Sequence, residues 1–405
     1  MDMRQAFTGI KVLAVARVVA APFAGYQLAM HGADVITIEN PTDADSARYT
    51  GDFGTDFLRL GMARTFLAYN SNKRSMTLRI NTPEGRDIFR EMVKTADVVI
   101  ENLRGGTMAR YGIGYEDLKK INPRIIFASV TGYGQSGPKH NDPAIDGAIQ
   151  AASGMMSITG TKETGPLKSG STIVDYATGY ATAFAIATAL FQRGNTGVGQ
   201  SIDVAMLETA MTLMSGEVVR AITGGGTPPL VGNGSGKGGY VSNTYPCKEG
   251  FIAIAAAAVP RRAKFWIAIE RTDIPEDPRF STTDAARANM KELDAEIIRT
   301  LSTKTAHEWE RILIKGGVPA MEVRDLSDAV HQEQLQHRKF FHHFEGDPDI
   351  GLPSFDVPTA SYRMSDNPMK MKSRPPLLGQ HTDEVLAEYG YSKDEIAQLR
   401  GNGTV

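Results

Sequence analysis

Short apolar, β-branched runs alternate with helical segments over the first third of the chain, and this alternation restricts the fold more than any other feature. Strands are predicted at 10–15, 34–38, 76–80, 98–101 and 125–130, with helices at 22–31 and 83–94. Strands separated by helices need right-handed crossover connections, which give a parallel sheet covered on both faces. The sequence therefore predicts an α/β fold with a Rossmann-like unit.

The pattern changes beyond residue 172. Long helical segments are predicted from 173 to 222 with a break at 193–199, and the apolar stretch 177–191 is interpreted as a buried helix. The segment 223–239 is the most Gly-rich in the chain and predicts a domain junction. A strand at 251–257 and helices at 262–271, 285–301 and 306–316 then predict a smaller α/β domain. We expect domains at 1–222 and 223–325, followed by a C-terminal segment, 326–405, with a last helix at 382–389.

Composition excludes several classes of partner. The 405 residues carry a net charge of −2, which supplies no global field for nucleic acid or an anionic membrane. The single cysteine, Cys247, cannot form an intrachain disulfide, which fits a cytoplasmic location. The first residues lack the features of a secretory signal, and no stretch reaches the roughly 20 continuous apolar residues of a membrane span. An anionic ligand must therefore be held by local charges.

Neither a dinucleotide nor a metal cofactor is expected. Ala20-Ala21-Pro22 follows the first strand, where a phosphate-binding loop would have the glycines of G-x-G-x-x-G. The eight histidines include no H-E-x-x-H and no His/Cys cluster with zinc spacing. The adjacent pair His342-His343 is interpreted as surface or packing residues. We expect no permanently bound cofactor and no metal.

Two aspartates lie at predicted helix starts among small residues. Asp175 follows Ser171 and Thr172, and Asp146 precedes a second helix. Acidic residues are favoured at such positions because they complement the helix dipole or cap free N–H groups, so a purely structural role is open for each. Alternatively, exposed N–H groups would keep Asp175 ionised and able to attack a carbonyl, with Asp146 taking acid/base work in a different environment.

Two further features are open to a structural or a functional interpretation. The Gly-rich stretch 232–239 is by default a flexible linker, but it could form a mobile flap that excludes water. The cationic residues Lys73, Arg104 and Arg110 follow predicted strands, on the side where α/β sheets bind ligands, although each could simply be solvated surface.

Six stretches, in order and nearly end to end, resemble the family III CoA-transferases, the CaiB/BaiF group that contains formyl-CoA transferase and the carnitine CoA-transferase. They are GIKVLAVARVVAAPFAGYQLAMHGADVITIEN, NSNKRSMTLRINTPEGRDIF, ADVVIENLRGGTMARYGIGYEDLKKINPRIIFASVTGYGQSGP, IDGAIQAASGMMSITG, VDYATGYATAFAIATALFQRGNTGVGQSIDVAMLE and RPPLLGQHTDEVL. No one string decides the matter, but six with consistent spacing are highly specific.

The resemblance implies site residues. Asp175 matches the family's catalytic aspartate, and Asp146 matches a second acidic position that some transferases fill with Glu. The implied CoA-binding residues are Val18, Lys73, Leu78, Asn102, Arg104 and Arg110. The implied glycine flap contains Gly234, Gly236, Gly238 and Gly239.

Departures from the family pattern bear on specificity. Formyl-CoA transferase has His and Gln after its first strand, where this chain has Arg17 and Val19, so formyl or oxalate specificity is in doubt. Arg17 could clamp the carboxylate of another acid, or it could merely neutralise a strand end. The α-methylacyl-CoA racemases of the same fold have a Gly-His-Asp triplet where this chain has Ala144-Ile145-Asp146. Because isoleucine cannot transfer a proton, the transferase is favoured over the racemase.

The resemblance also implies a mechanism and an assembly. CoA would move from an acyl-CoA to a small carboxylic acid through a mixed anhydride and an aspartyl-CoA thioester at Asp175. A dicarboxylate such as succinate is one candidate acid, and intramolecular CoA transfer between two carboxyls is equally compatible. The implied assembly is an interlocked homodimer, with the C-terminal segment returning to a large CoA-binding domain.

Overall fold

A computed structural model describes residues 5–51, 56–234 and 240–405. The chain divides into two compact units. The first comprises Met1–Ser153, Ser169–Ser215 and Gln334–Val405, and the second Gly154–Lys168 and Gly216–Glu333. Compared with the predicted domains, the second unit begins a few residues earlier, ends a few residues later, and adds residues 154–168.

The elements up to residue 215 alternate as the sequence indicates. They are β1 (Lys11–Val15), α1 (Ala20–Met30), β2 (Asp34–Glu39), α2 (Asp56–Arg59), α3 (Arg64–Leu67), β3 (Lys73–Thr77), α4 (Pro83–Val93), β4 (Val98–Glu101), α5 (Thr107–Arg110), α6 (Tyr115–Ile121), β5 (Ile126–Thr131), α7 (Asp146–Ala152), β6 (Gly160–Thr161), β7 (Gly165–Pro166), α8 (Ile173–Thr196), β8 (Ser201–Ala205) and α9 (Met206–Leu213).

The rest of the chain contains more helix than strand, with two small antiparallel sheets. Its elements are α10 (Ser215–Arg220), β9 (Ser242–Pro246), β10 (Phe251–Ala255), α11 (Val259–Ala268), α12 (Thr283–Ala288), α13 (Met290–Leu301), α14 (Ala306–Lys315), β11 (Ala320–Glu322), α15 (Leu326–Ala329), α16 (Glu333–His337), β12 (Phe341–Phe344), β13 (Phe355–Pro358), α17 (Thr382–Glu388) and α18 (Lys393–Gly401).

A six-stranded parallel sheet forms the centre of the first unit, in the order β3-β2-β1-β4-β5-β8. Its middle strands are apolar on both sides because helices cover both faces, and Leu13 lies in register with Ile36 on one side and Val99 on the other. The order reverses direction at β1, where an open α/β sheet leaves a crevice beyond the carboxyl ends of its strands. The predicted α/β class with a parallel sheet is confirmed.

Two strands correct the sequence interpretation. The segment 200–206 falls within a region predicted to be helical, but Ser201–Ala205 forms the edge strand β8. Its side chains are mostly exposed or half-buried, so it lacks the apolar run that marks the central strands. The third strand begins at Lys73 rather than at residue 76, because polar Lys73, Arg74 and Ser75 continue the pairing with β2.

Helix α8 is long and apolar enough to cross a membrane by length and composition alone, and about a third of its most apolar window is buried. One side crosses α1, where a Cβ at Gly179 would lie 2.7 Å from the carbonyl oxygen of Ala20. The opposite side leaves Phe184 and Phe191 76% and 77% exposed. Within one chain, the expectation of a buried helix therefore holds for the side that faces α1 and is wrong for the side that carries Phe184 and Phe191.

Other parts of the first unit bond to the outer edge of β3 and to a side chain of β8. At β3, the N–H groups of Ser75 and Thr77 donate to side-chain atoms of His381 and Thr382, at 3.1 and 3.0 Å. At β8, the carboxylate of Asp203 accepts from the N–H of Gln135. Residues of the C-terminal segment thus close the outer edge of β3.

The second unit has its own core. A three-stranded antiparallel sheet, β11-β10-β9, packs with α11, α13 and α14 around buried aromatic residues, including Phe265, Trp266 and Trp309. Thr305 and Glu308 form a capping box that begins α14.

Candidate active site

A cavity of about 570 Å³ lies at the carboxyl ends of β1, β4 and β5 in the first unit. The segments that follow these strands and the first turns of α7 and α8 form its wall, as expected for a parallel α/β sheet. The predicted site residues in this wall are Arg17, Val18, Asn102, Arg104, Asp146 and Asp175. Residues separated by up to 158 positions in sequence are therefore brought together at one site.

Asp146 holds the N-terminus of α8. Its Oδ2 accepts from the N–H groups of Val174 and Asp175, at 2.8 and 3.1 Å, and its Oδ1 accepts from the side-chain amide of Gln150 at 2.5 Å. Asp146 is buried. The residue that precedes α8, Thr172, forms no capping hydrogen bond with its side chain. A carboxylate 28 residues away in the sequence thus does the work of an N-cap.

The surroundings of Asp175 favour its protonated form, whereas the sequence analysis expected helical N–H groups to keep it ionised. Burial, and next the nearby charge of Asp146, raise the pKa of the Asp175 carboxyl to about 7. The helical N–H groups that were expected to keep Asp175 ionised instead bind Asp146. Asp175 is therefore a poised carboxyl that gains its charge near neutral pH and, once ionised, is poorly solvated.

Asn102 is engaged by the backbone of Arg17. Its Oδ1 accepts from the N–H of Arg17 at 2.9 Å, and its Nδ2 donates to the carbonyl oxygen of Arg17 at 2.8 Å. The side chain of Asn102, matched by resemblance to a CoA contact, thus fixes the segment after β1 from the end of the neighbouring strand β4. The guanidinium of Arg17 forms an ion pair with the exposed carboxylate of Asp43, at 2.8 Å.

The other predicted cationic residues occupy three different environments. Lys73 is buried and its ammonium donates to the carbonyl of Pro22 and to Asn70 Oδ1, while burial lowers its pKa to about 7. Arg110 donates to Gly105 and Thr107 within its own turn and lies outside the cavity wall. Arg104 is exposed at the cavity, and within the described part of the chain it forms no ion pair.

Leu78 lies in a second cavity of about 300 Å³, which adjoins the first because both include Arg17 and Leu103. This second cavity lies beyond the ends of β1, β2 and β3. Most of the predicted residues around the sheet therefore fall into two neighbouring spaces, and Lys73 and Arg110 line neither of them.

Sequence reasoning missed two polar residues. Gln150 bonds to Asp146 and, through its carbonyl oxygen, accepts from the N–H of Ser169 at 2.9 Å. Its position four residues after Asp146 on α7 was the available signal. His140 lines the cavity, but it lies in an irregular segment that carries no periodic pattern.

Part of the predicted flap lies in the second unit. The N–H of Gly232 donates to Gly160 and that of Gly234 to Val231, at 2.7 and 3.0 Å. Gly236, Gly238 and Gly239 lie outside the described residues. Among the described residues, no group of three or more His, Cys, Asp or Glu side chains is arranged to hold a metal ion.

The sequence of the chain matches a known family. Residues 7–382 match the family model described as CoA-transferase family III. The chain belongs to the family III CoA-transferases. It is a transferase enzyme of the CaiB/BaiF type, and enzymes of this family use CoA thioesters as substrates.

Several relatives share almost the whole length of this CoA-transferase. A succinate–glutarate CoA-transferase from Agrobacterium fabrum is 32% identical over 94% of this chain and 95% of its own length. A succinyl-CoA:glutarate CoA-transferase from Mus musculus is 31% identical over 100% of this chain and 91% of its own. The crystal structure of a CaiB/BaiF family protein from Brucella suis, 31% identical, superposes with a TM-score of 0.84 over 95% of this chain and 100% of that one.

Proposed function

We propose that this enzyme moves CoA from an acyl-CoA to a small carboxylic acid through covalent intermediates on Asp175. The observation that carries the proposal is the half-buried carboxyl of Asp175, with a pKa raised to about 7, in the wall of a cavity that also contains Arg17 and Arg104. A nucleophile that ionises near neutral pH beside cationic residues suits attack on the thioester of an anionic substrate.

The reaction proceeds through acyl transfers that balance at each step. The Asp175 carboxylate attacks the thioester carbonyl, CoA thiolate leaves, and a mixed anhydride forms. The thiolate then attacks the aspartyl carbonyl, which releases the first acid and leaves an aspartyl-CoA thioester. The acceptor carboxylate attacks that thioester, which releases CoA thiolate and forms a second anhydride. The thiolate then attacks the acceptor's carbonyl in this anhydride, which gives the new acyl-CoA and frees the Asp175 carboxylate. No metal or ATP is required, because every intermediate is an activated carbonyl.

Asp146 has a positioning role in this proposal. Both of its oxygens accept hydrogen bonds, which leaves it poorly placed to exchange a proton with substrate. Its contribution is to fix the first turn of α8 and to help raise the pKa of Asp175. Because the N–H groups of Val174 and Asp175 are occupied, the donors for a developing oxyanion come from elsewhere.

The two adjoining cavities suggest how CoA binds. The thioester would lie in the larger cavity at Asp175, and the nucleotide part would extend past Arg17 towards Leu78 in the smaller one. Val18, Asn102 and Arg104 form the wall between the reactive end and this extension. Lys73 and Arg110 are assigned to support of this wall rather than to direct contact.

The proposed substrates are small acids, with dicarboxylates such as succinate and glutarate first among them. The names of the two relatives described above supply these candidates, and Arg17 supplies a guanidinium that can bind a second carboxylate bidentately. Ile145 lines the cavity and is 74% exposed, so an aliphatic side chain stands where a racemase needs a proton-transferring base. CoA transfer within one diacid uses the same steps.

We also propose a homodimer in the cytoplasm. The exposed Phe184 and Phe191 form an apolar side of α8 large enough to favour burial against a second copy. Light scattering coupled to size exclusion tests this: a dimer mass is expected, and a Phe184→Glu, Phe191→Glu double variant should shift it towards the monomer. A wild-type monomer would contradict the dimer.

Borohydride trapping tests the chemistry. The protein is incubated with succinyl-CoA and other acyl-CoAs, reduced, digested, and the peptide containing Asp175 is analysed by mass spectrometry. Reduction of Asp175 to the alcohol, dependent on acyl-CoA and absent in Asp175→Ala, is the expected result. CoA exchange into labelled glutarate or succinate, measured in parallel, identifies the acceptor.

Two controls show whether reduction is specific to Asp175 and whether the reaction is a CoA transfer. Asp284 also lies in the first turn of a helix but is exposed, so it should stay unreduced in every sample. Exchange of the substrate α-proton with solvent deuterium, without any reduced Asp175, would refute the transferase and indicate the racemase.

A further inference from the structure

Val18, in the wall of the proposed CoA site, has a backbone conformation that valine rarely adopts. Its φ angle is +62°, in the left-handed region, and its side chain is 45% exposed at the cavity. A β-branched residue with positive φ is strained, and such strain persists only where the surroundings enforce it. The contacts that enforce it therefore shape this wall.

Two side chains hold the two peptide units that precede Val18. Asn102 takes both the N–H and the carbonyl of Arg17, as described above. The N–H of Val18 itself donates to Asp45 Oδ1 at 2.9 Å. Three hydrogen bonds from two side chains therefore fix the two peptide units before Val18 and help to enforce its strained conformation.

Asp45 is itself immobilised. It is 3% exposed, its N–H donates to Glu39 Oε1, and its Oδ1 also accepts from the N–H of Ala47. Glu39 is in turn held by the guanidinium of Arg48, with contacts of 2.6 and 2.8 Å, and both side chains are buried. The acceptor presented to Val18 is thus anchored at the end of β2 through a buried ion pair.

Helix capping alone does not explain the hydrogen bonds that the side chain of Asp45 accepts. As the residue before a short 3₁₀ turn at Ser46–Arg48, it would need only the bond to Ala47. The additional bond to Val18, 27 residues away, joins the turn to the cavity wall. Asp45 does not line either cavity, so it can influence a ligand only through the residues it holds.

We propose that Asp45 is a positioning residue that fixes the Arg17–Val18 turn and thereby sets the enzyme's affinity for CoA. The inference rests on the proposed function, because it takes CoA as the ligand of the cavity. The affinity of the cavity wall for CoA then depends partly on a residue outside that wall. Loss of the Val18 bond lets this turn relax to negative φ, which displaces both the wall and the side chain of Arg17.

The first test compares two variants of the full-length enzyme by calorimetric titration with free CoA. Asp45→Leu removes the acceptor while keeping a side chain branched at Cγ, and it should weaken CoA binding about tenfold or more. Asp45→Asn retains an acceptor oxygen and should bind within about threefold of the wild type. Hydrogen exchange of the peptide around Val18 should accelerate in Asp45→Leu alone.

A second test uses the strain itself. Glycine adopts positive φ without a steric penalty, so Val18→Gly removes the need for enforcement. The loss of CoA affinity caused by Asp45→Leu should therefore be several-fold smaller in the Val18→Gly background. A general loss of stability would lower the affinity equally in both backgrounds, so this coupling separates positioning from damage to the fold.

The outcomes are distinct. If wild-type enzyme binds no CoA, the proposed function fails and the inference fails with it. If wild type binds CoA and Asp45→Leu binds equally well, or if Asp45→Asn is as weak as Asp45→Leu, the inference alone is overturned. Equal losses of affinity in the wild-type and Val18→Gly backgrounds would also overturn it.

Discussion

The two sides of the main cavity hold their charges in opposite ways. On the α8 side, Asp175 is half-buried, its pKa is raised to about 7, and the neighbouring carboxylate of Asp146 accepts three hydrogen bonds. On the β1 side, Arg17 is half-exposed and pairs with an exposed carboxylate, that of Asp43. Buried charges are sensitive to pH and weakly screened, whereas exposed pairs are screened by salt and exchange partners readily. The first side therefore suits chemistry and the second suits ligand exchange.

The largest effect should follow removal of the α8-side nucleophile. Asp175→Ala is expected to lower kcat by about 10⁴-fold or more, because no other group can form the covalent intermediate. CoA exchange between succinate and glutarate measures it. As a control, Asp284→Asn changes an exposed aspartate in the first turn of α12, and this variant should retain wild-type activity. A loss below tenfold for Asp175→Ala would contradict the covalent mechanism.

The next largest effect should come from uncapping α8. Asp146→Ala leaves the N–H groups of Val174 and Asp175 and the amide of Gln150 without an acceptor. Unfolding in urea should show a free energy lower by about 2–3 kcal/mol. Asp146→Asn, which keeps one acceptor oxygen, should lose less. It should also move the acid limb of the pH–activity profile to lower pH, because the charge of Asp146 helps raise the pKa of Asp175. An unmoved limb would argue against coupling of the two carboxyls.

A third effect concerns stability rather than rate. The pKa of Asp175 is higher in the folded protein than the usual value near 4, so the native state binds its proton more tightly than the unfolded chain. Native stability therefore falls as pH rises from about 4 to about 7. Asp175→Asn should raise the free energy of unfolding at pH 8 by about 1–2 kcal/mol and change it little at pH 4. An equal effect at both pH values would contradict the raised pKa.

The smallest effect should appear on the β1 side. Asp43→Asn should change the free energy of unfolding by less than about 1 kcal/mol, because the pair with Arg17 is exposed. It should lower KM for the acid substrate, since Arg17 no longer has a competing partner, while Arg17→Gln raises it. Steady-state assays at low and high salt measure both. If the two variants shift KM in the same direction, Arg17 does not bind the substrate carboxylate.

Local patterns predicted the α/β class, the sheet and the positions of both aspartates at helix starts. They failed where contacts join distant residues. Asp175 was expected to be ionised by its own helix, but Asp146, far along the chain, takes the N–H groups. The ammonium of Lys73 donates to Asn70, a contact that no local rule shows. The positive φ of Val18 likewise depends on Asp45 and Asn102, neither of which is adjacent in sequence. The flap and the division into domains stay predictions.

The covering of β3 has a consequence for biosynthesis. The side chains of His381 and Thr382 that bond to this edge strand lie about 300 positions after it, at separations of 306 and 305 residues. At roughly 5–20 residues per second, a ribosome needs about 15–60 s between making the strand and making its cover. During that interval the nascent sheet presents open backbone groups to other polypeptides. Premature termination before residue 380 should therefore yield aggregates that chaperones must hold, even though every strand of the parallel sheet has been synthesised.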